Sequence, residues 1–403
     1  MADIYELPRD VRYLMDLLDA GGFRADVVGG CVRDMQMGIP PHDYDMTTSA
    51  TPDEMKRVFA GERLIETGLK HGTLTVVVDH TPYEITTYRE DGDYPDNRHP
   101  SSVTFTRSLA EDLKRRDFTM NALCYHPHYG LTDLFGGAGD IRARVVRAVG
   151  DPARRFSEDA LRILRALRFS SVLDFSIAPE TAAAIHAEKA RLKNISPERI
   201  FCEWMKLLGG VRAGSVLTEY ADVIVVFLPM LAPVLAHPLP ALTGMDAPRA
   251  MMFLFSYLPP DGRCAAFDAA CDALRTDNAL RARGKAALSH LDFADAGDDR
   301  SLLYLLRDVG IDGAKDVLSL REKRGESTAA DLARLSALLE KSPPYRIGDL
   351  AVRGEDLMAL GARGGAVGEG LQFLLTAVLD GIVPNEKASL LAYYQKEKEK
   401  YGI

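Results

Sequence analysis

The chain has 403 residues, 47% of them hydrophobic, which is enough for about two or three domains with a large core. Its formal net charge of -9 argues against indiscriminate binding to nucleic acids, and no apolar run is long enough to cross a membrane. Five scattered cysteines without a closely spaced pair, and an N-terminus without a basic and apolar leader, predict a protein of the reducing cytoplasm.

The first predicted elements are a buried strand over residues 25–28 and a helix that follows it directly. Gly29 and Gly30 lie between them, and their small size lets phosphate oxygens approach the backbone N–H groups at the start of the helix. Arg33 lies on the first turns of this helix, where its guanidinium group can bind the same phosphates in a bidentate way. Gly38 then ends the helix. The pattern indicates a site for the phosphate groups of a nucleotide.

Two carboxylates follow at i, i+2 spacing. Asp43 and Asp45 lie in a segment with strand character, where alternate side chains point to the same face. Neighbouring carboxylates repel each other unless a hard cation lies between them, and Mg²⁺ is the usual choice when phosphates complete its ligand shell. Each motif alone is more often an ordinary turn or an exposed strand edge. Their fixed order favours a Mg²⁺-dependent site for a nucleoside triphosphate.

The segment from Gly29 to Asp45 resembles the first motif of the class II tRNA nucleotidyltransferases and bacterial poly(A) polymerases. It begins with Gly-Gly-Cys-Val-Arg-Asp and ends with Asp-Tyr-Asp. The resemblance implies a third carboxylate on a neighbouring strand, and Glu84 is the candidate because residues 83–88 alternate so that Glu84 and Thr86 share a face. A solvent-facing strand glutamate is the simpler alternative. The implied metal ligands and catalytic residues are Asp43, Asp45 and Glu84.

A basic cluster at residues 114–116 is predicted to start a helix, and the sequence through Ala122 resembles the second motif of the family. Charged runs usually form solvated faces. Here Phe118 gives the following segment an apolar side, which keeps Arg115 and Arg116 near a buried surface. Arg116 is the better candidate for contact with the triphosphate.

A further helix is predicted to begin at Ser157 and to carry Arg162, Arg165 and Arg168 at every third position, in one polar stripe with Asp159. Binding to an RNA backbone is the simpler interpretation of three arginines at that spacing. Residues 141–170 carry eight arginines against three acids, a local positive charge that could attract phosphates. In the family, a Glu-Asp-x-x-Arg segment of this kind is the protein template for the incoming base. The resemblance therefore implies that Asp159 and Arg162 select the base, and that Arg165 and Arg168 hold the triphosphate.

This template has a clear chemical logic. Cytosine and adenine both present an exocyclic amino donor beside a ring-nitrogen acceptor, which suits one carboxylate and one guanidinium group. Guanine and uracil present a carbonyl beside an N–H group, so the same pair would be left with unsatisfied buried groups at a cost of about 1 to 3 kcal/mol each. Selection of C and A then needs no nucleic-acid template.

Several other segments match the family. Residues 133–140 resemble a hinge-like third motif, and residues 195–200 resemble the fifth, which also predicts a helix starting at Pro197. Residues 66–73 are more similar to the CCA-adding enzymes of Gram-positive bacteria than to poly(A) polymerases. The polar loop over 89–105 resembles the flexible loop that CC-only enzymes lack, which favours completion with A.

The predicted elements fall into two groups, with strands first and helical periodicity afterwards. The resemblance implies an α+β fold, with a nucleotidyltransferase-type mixed β-sheet head followed by an elongated all-helical neck, body and tail. The predicted domains are the catalytic head over 1–147, the base-recognising neck over 148–210, the body over 211–340 and the tail that binds the tRNA elbow over 341–403. Matches in the tail are weaker, and residues 230–330 depart from the common pattern.

The sequence is thus identified as a member of this family, which implies a template-independent enzyme that adds C, C and A to the 3′ end of tRNA from CTP and ATP. The expected partner is the tRNA 3′ end with its acceptor stem and elbow, of which the tail binds the elbow, and neither DNA nor a membrane is an expected partner. The oligomeric state stays open. The near alternative is a poly(A), A-adding or CC-adding polymerase, and the distant one is a non-catalytic RNA-binding protein. The predicted nucleotide-binding residues are Gly29, Gly30, Arg33, Arg115, Arg116, Asp159, Arg162, Arg165 and Arg168.

Overall fold

The computed structural model describes residues 5–92, 102–294 and 296–401, with side chains up to residue 397. The chain divides into two compact units, Met1–Ala247 with Ala273–Arg275 and Pro248–Asp272 with Thr276–Ile403. None of the helices in these described ranges is both long and apolar enough to span a bilayer.

The first unit contains the strands. They are β1 (Ala25–Val28), β2 (Met46–Thr48), β3 (Arg63–Ile65), β4 (Thr73–Val78), β5 (Thr81–Thr87), β6 (Arg89–Asp91), β7 (Val103–Phe105), β8 (Leu123–His126), β9 (Gly130–Asp133), β10 (Val145–Val146) and β11 (Ser176–Ile177). Among the described residues, the main sheet is seven-stranded with the order β3-β4-β5-β2-β1-β8-β9. It is a mixed sheet, because β2 and β5 run parallel whereas the other neighbours are antiparallel.

The centre of this sheet is buried and sets the position of the carboxylates. Every residue of β1 is buried, and Val27 pairs with Met46 on one side and with Tyr125 on the other. The parallel register places Met46 opposite Ile85. Asp45 and Glu84, one residue earlier on each chain segment, are therefore brought side by side, with Asp45 directly before β2 and Glu84 in the middle of β5.

The helices of the first unit pack on this sheet and continue beyond it. They are α1 (Arg9–Ala20), α2 (Gly30–Gln36), α3 (Pro52–Val58), α4 (Leu109–Lys114), α5 (Gly137–Ala143), α6 (Pro152–Glu158), α7 (Leu161–Leu173), α8 (Pro179–Glu188), α9 (Pro197–Leu208), α10 (Ala213–Glu219), α11 (Ala221–Ile224) and α12 (Ala232–Leu235). The predicted mixed sheet followed by helices is confirmed, as is the start of α9 at Pro197. Strands β8 and β9 were not predicted.

Two predicted helix starts are wrong. Asp151 caps α6 by accepting hydrogen bonds from the N–H groups of Ala153 and Arg154, and α6 ends at Glu158, so Ser157 lies in its last turn. A new helix, α7, carries the three arginines, and Asp159 precedes it instead of sharing its stripe. The basic cluster at 114–116 ends α4 instead of starting a helix. Positive charge at that end is favoured by the helix dipole.

The predicted polar loop over 89–105 is structured at both ends. Strands β6 and β7 pair antiparallel, with Arg89 opposite Phe105. Residues 93–101, the central part of that prediction, lie outside the described residues.

The second unit is helical. It contains α13 (Ala247–Phe255), α14 (Pro260–Leu274), α15 (Asn278–Ser289), α16 (Asp299–Lys323), α17 (Ala329–Glu340), α18 (Gly354–Ala359), α19 (Gly365–Leu379) and α20 (Lys387–Tyr401). A kink interrupts α16 at Gly310, whose φ of 71° is outside the helical range. Buried residues from Leu350 to Tyr394 form one apolar core for α18 to α20. The predicted boundaries at 147, 210 and 340 stay predictions.

Candidate active site

The carboxylates Asp43 and Asp45 lie directly before β2, outside the strand itself. The N–H group of Val28 in β1 donates to the carbonyl of Asp45 at 2.9 Å, which fixes the backbone there. Within the described residues, neither carboxylate has a side-chain hydrogen bond or ion pair, and the same holds for Glu84. Among the residues that the structure describes, these anions are left without a partner.

Electrostatics link these groups to an arginine. The pKa of Asp45 is raised above its usual value, first by desolvation and then by repulsion from Asp43 and Glu84, while Arg116 acts in the opposite direction. A cavity of about 240 Å³ joins the same groups, because Asp45, Glu84, Arg115 and Arg116 all line it. The structure therefore brings two of the three predicted carboxylates and both predicted arginines of the cluster around one space.

The carboxylates do not form a finished metal site. No group of three or more His, Cys, Asp or Glu side chains in the described ranges is close enough to hold an ion. The mutual repulsion at Asp45 nevertheless favours a bound cation, and hard carboxylate oxygens suit Mg²⁺, which commonly takes its other ligands from phosphates and water. These carboxylates therefore fit Mg²⁺ when phosphates and water supply its other ligands. The assignment of Asp43, Asp45 and Glu84 as the protein ligands stays a prediction.

The two glycines after β1 make room for guanidinium groups. Gly29 has φ 81° and ψ -126°, a conformation that residues with a Cβ atom rarely adopt. A Cβ atom at Gly29 would lie 3.2 Å from Nη1 of Arg116, and one at Gly30 would lie 3.7 Å from Nη2 of Arg33. Both glycines therefore lie directly against predicted phosphate-binding arginines.

A buried aspartate that sequence reasoning missed holds the basic cluster in place. Asp112 is fully buried in α4, and its Oδ1 accepts from Nη2 of Arg115 at 2.7 Å. Its Oδ2 lies 3.4 Å from Nη2 of Arg116 and 3.2 Å from Oγ1 of Thr47 in β2. Burial alone would raise the pKa of Asp112, yet Arg115 and Arg116 hold it below its usual range. The i, i+3 and i, i+4 spacing was the available signal.

The other predicted phosphate-binding arginines are each paired with a carboxylate. The ion pairs are Arg33–Asp34 at 2.7 Å, Arg165–Asp117 at 2.5 Å and Arg168–Glu203 at 2.7 Å. Burial would raise the pKa of Asp117, but the charge and hydrogen bonds of Arg165 lower it to about 2. Sequence reasoning missed these three carboxylate partners.

Asn121 connects two of these pairs. Its Oδ1 accepts from Nη1 of Arg33 at 2.9 Å, and its Nδ2 donates to Asp117 at 3.2 Å. The side chains of α2 and α7 are thus joined through the segment after the basic cluster. Asn121 was recognised only as part of the second motif.

The side chains of the predicted base-reading residues, Asp159 and Arg162, have different partners. The N–H group of Arg162 donates to the carbonyl of Asp159 at 3.0 Å, which keeps their backbones together. The side chain of Asp159 instead pairs with Arg199 at 2.9 Å. Arg199 belongs to the segment 195–200 that resembles the fifth motif, and from sequence that segment predicted only the start of α9.

Arg162 itself is 8% exposed and bonded to protein oxygens. Its Nη1 donates to Glu158 at 2.7 Å and to the carbonyl of Arg155 at 2.9 Å, and its Nη2 donates to the carbonyl of Arg115 at 3.1 Å. In the described residues its side chain makes no bond to the carboxylate of Asp159. The joint contact of these two side chains with a base stays a prediction.

Comparisons with known proteins agree with this architecture. Residues 25–147 match the model of the poly A polymerase head domain, and residues 174–222 match that of a probable RNA and SrmB-binding site of polymerase A. Residues 263–394 match a putative second domain of tRNA nucleotidyltransferases.

Individual relatives match to different extents. The CCA-adding enzyme of Latilactobacillus sakei is 47% identical over 209 residues, so that the match spans 52% of each chain, about half of the relative's length. The CCA-adding enzyme of Lacticaseibacillus paracasei is 36% identical over 390 residues, which cover 94% of both chains. The crystal structure of the Bacillus stearothermophilus CCA-adding enzyme in complex with CTP is similar with a TM-score of 0.79, at 32% identity and 98% coverage of both chains.

Proposed function

This chain belongs to the family of CCA-adding enzymes, and we propose that it adds C, C and A to the 3′ end of tRNA, using CTP and ATP and releasing pyrophosphate. One observation carries the proposal more than any other. The carboxylates Asp45 and Glu84 and the guanidinium groups of Arg115 and Arg116 line one cavity, where a triphosphate would meet both a metal-binding and an anion-binding wall.

In this proposal Asp43, Asp45 and Glu84 hold Mg²⁺. When bound, Mg²⁺ neutralises charge on the triphosphate and lowers the pKa of the attacking 3′-hydroxyl group. Two features of the chain position these carboxylates: the backbone hydrogen bond from the N–H group of Val28 to the carbonyl of Asp45, and the parallel register of β2 and β5. The raised pKa of Asp45 is the cost of that arrangement in the absence of a cation.

The arginines position the triphosphate. Arg116 lies against Gly29, and Arg33 lies near Gly30, so the guanidinium groups and the backbone N–H groups at the start of α2 face the same phosphates. Asp112 fixes Arg115 beside Arg116. Phosphoryl transfer depends mainly on positioning and on charge neutralisation, which are the contributions of these residues.

Asp159 and Arg162 read the base. The contacts of Arg162 to Glu158 and to the two backbone carbonyls leave N–H groups on its Nε and Nη2 atoms for a ring nitrogen. Asp159 would accept from the exocyclic amino group, in competition with Arg199. Both contacts suit C and A and oppose G and U.

The rest of the chain is assigned to tRNA. We propose a head over 1–147, a neck over 148–210, a body over 211–340 and a tail over 341–403 that contacts the tRNA elbow. All five cysteines, which lie within the described residues, are free thiols, in keeping with a cytoplasmic location. The proposal includes neither DNA nor a membrane as a partner.

The test is an extension assay. Purified protein with Mg²⁺ is incubated with tRNA that ends at the discriminator base, in the presence of CTP, ATP or both, and the 3′ ends are read at single-nucleotide resolution. Addition of C, C and A followed by a stop is the expected result. Two controls should give no extension. One is a tRNA that already ends in CCA, and the other is the Asp43→Ala variant with the original tRNA.

Other outcomes assign another activity. Long A tails on many RNAs would indicate a poly(A) polymerase, and a stop after two C residues would indicate a CC-adding enzyme. Addition of A alone to tRNA that ends in CC would indicate an A-adding enzyme. A lack of any extension by protein that binds tRNA would overturn the proposal in favour of an RNA-binding role.

A further inference from the structure

Phe169 follows the last arginine of the α7 series and lies at the centre of the phosphate-binding arginines. Phe169 is nearly buried, with 6% of its surface exposed. Three guanidinium groups lie over its ring, with Cζ of Arg168 at 3.9 Å, Cζ of Arg33 at 5.4 Å and Cζ of Arg165 at 5.4 Å from the ring centroid. Phe118 packs edge-on against the same ring, with centroids 5.7 Å apart. One aromatic side chain thus contacts arginines from both α2 and α7.

These three guanidinium groups repel one another. The pKa of Arg168 is lowered first by desolvation, and the charges of Arg165 and Arg33 lower it further, against the favourable effect of Glu203. Carboxylates offset part of this repulsion, since Asp34 pairs with Arg33, Asp117 pairs with Arg165, and Glu203 lies 2.7 Å from Arg168 and 3.8 Å from Arg165. Asn121 also links Arg33 to Asp117. A further group that keeps the three arginines close together without repelling a triphosphate has to be uncharged, because an additional carboxylate would repel the phosphates.

An aromatic ring is suited to that task. Its π face attracts a cation but does not occupy the N–H donors of the guanidinium group, which stay available to a phosphate. The ring also adds no net negative charge to the site. The attraction is strongest where water is excluded, as it is at a residue that is 6% exposed. The ring of Phe169 therefore gathers positive charge and leaves it available.

We propose that Phe169 is a positioning residue for the triphosphate, because its ring holds Arg33, Arg165 and Arg168 in place before the nucleotide binds. The inference rests on the proposed function, in which these arginines bind the phosphates of the incoming nucleotide. Phe169 acts through the arginines and not through the base. Its replacement therefore weakens CTP and ATP binding by the same factor and leaves base selection unchanged.

The test measures binding of CTP and ATP to the full chain by titration calorimetry in the presence of Mg²⁺ and without tRNA. Phe169→Leu keeps an apolar side chain but removes the ring, and it is expected to weaken both nucleotides by about tenfold. Phe169→Tyr keeps the π face and is expected to stay within about twofold of the unmodified chain. Phe59→Leu is the matched control, because Phe59 is fully buried and makes no aromatic or guanidinium contact in the described residues.

A second series separates the ring's electrostatics from its packing. Phenylalanines with increasing numbers of fluorine atoms, introduced at position 169, retain nearly the same shape but have a progressively weaker π face. Nucleotide affinity should fall steadily along this series, and the fluorescence of the single tryptophan, Trp204, should show that each variant is folded. Affinity that does not respond to fluorination would overturn the inference, as would unequal losses for CTP and ATP.

The outcome is independent of whether the proposed activity is correct. Suppose that the unmodified chain binds nucleotides with the expected fluorine dependence but does not extend tRNA. The proposed function is then wrong and the role of Phe169 stands. If the unmodified chain extends tRNA and Phe169→Leu binds nucleotides normally, the activity stands and the role of Phe169 is wrong.

Discussion

Two groups of predicted site residues are held in opposite ways: Asp43, Asp45 and Glu84, called the carboxylate wall below, and Arg33, Arg162, Arg165 and Arg168, called the arginine wall. On the carboxylate wall, Asp43, Asp45 and Glu84 have no side-chain partner in the described part of the chain, and Asp45 carries the repulsion of the other two. On the arginine wall, ion pairs at 2.5 to 2.7 Å hold Arg33, Arg165 and Arg168 before any ligand is present.

This difference separates two kinds of contribution. A wall without partners needs a cation from solution, so its residues should matter for whether the reaction occurs at all. A wall that is already held by internal ion pairs is preorganised, so its residues should determine how tightly and how selectively the nucleotide binds. The following substitutions test this division.

The largest effect is expected on the carboxylate wall. Asp43→Ala should lower the rate of nucleotide addition by about a thousandfold or more, because a metal ligand is lost where the protein offers no substitute. Single-turnover extension of tRNA measures this rate. Asp53→Ala, which removes an exposed aspartate of α3 in the same unit, is the control. Activity above trace levels in Asp43→Ala would refute the metal assignment and remove the distinction between the walls.

A smaller but specific effect is expected at the base-reading end of the arginine wall. Arg162→Ala should reduce the preference for C and A over U and G by about 10- to 100-fold, with a smaller loss of triphosphate affinity. Incorporation of all four nucleotides, measured separately, gives the preference. Arg142→Ala, at an exposed position on α5, provides the control. A preference that survives intact would mean that Arg162 has only the structural contacts described above.

The preorganisation of the arginine wall should also appear as a pH dependence of stability. The pKa of Asp117 is lowered to about 2 by Arg165, so its contribution is fully present above the unfolded value near pH 4 and is lost as the pH falls towards 2. The free energy of unfolding should therefore drop by roughly 2 to 3 kcal/mol more in the unmodified chain than in Asp117→Asn over this range.

Denaturant titrations followed by Trp204 fluorescence measure this difference, because that tryptophan is buried in the same unit. Asp16→Asn replaces an exposed aspartate of α1 and should not change the slope. Equal acid sensitivity of Asp117→Asn and the unmodified chain would show that the ion pair does not hold the arginine wall.

The smallest effect is expected where both walls meet the backbone. Gly29→Ala should destabilise the chain by about 1 to 2 kcal/mol through its positive φ and should raise the KM for both nucleotides about threefold by displacing Arg116. Gly22→Ala is a matched control, since Gly22 also has φ 81° but has no atom within 4 Å of an added Cβ. The control should lose stability without a change in KM, and an equal KM change in both variants would contradict the role of the contact.

The sequence predicted the site best where its order is local. The strand, the two glycines, the helix with Arg33 and the Asp43 and Asp45 pair are close together along the chain, and the structure has this order. Glu84 was predicted as the third carboxylate from the family resemblance together with strand alternation, and the parallel register of β2 and β5 brings it beside Asp45, while its role as a ligand stays a prediction.

The ion pairs that hold the arginines were not predictable in the same way. Arg165 and Asp117 are separated by 48 residues, and Arg199 and Asp159 are separated by 40, so their contacts follow from helix packing and not from local spacing. The start of α6 was predictable from local sequence. Asp151 followed by Pro152 is a stronger helix-start signal than Ser157, because aspartate is a good N-cap and proline suits the first helical position.

One hydrogen bond has a consequence for fidelity. Nη2 of Arg162 donates to the carbonyl of Arg115, which joins the predicted base reader to the peptide that carries the phosphate-binding cluster. If Arg162 reads the base as proposed, reciprocal linkage requires that a mismatched base that displaces Arg162 weaken phosphate binding by the same free energy with which a well-placed triphosphate favours the matched base. An incorrect nucleotide would then leave the enzyme as a whole molecule, and rejection becomes a matter of residence time instead of a separate checking step.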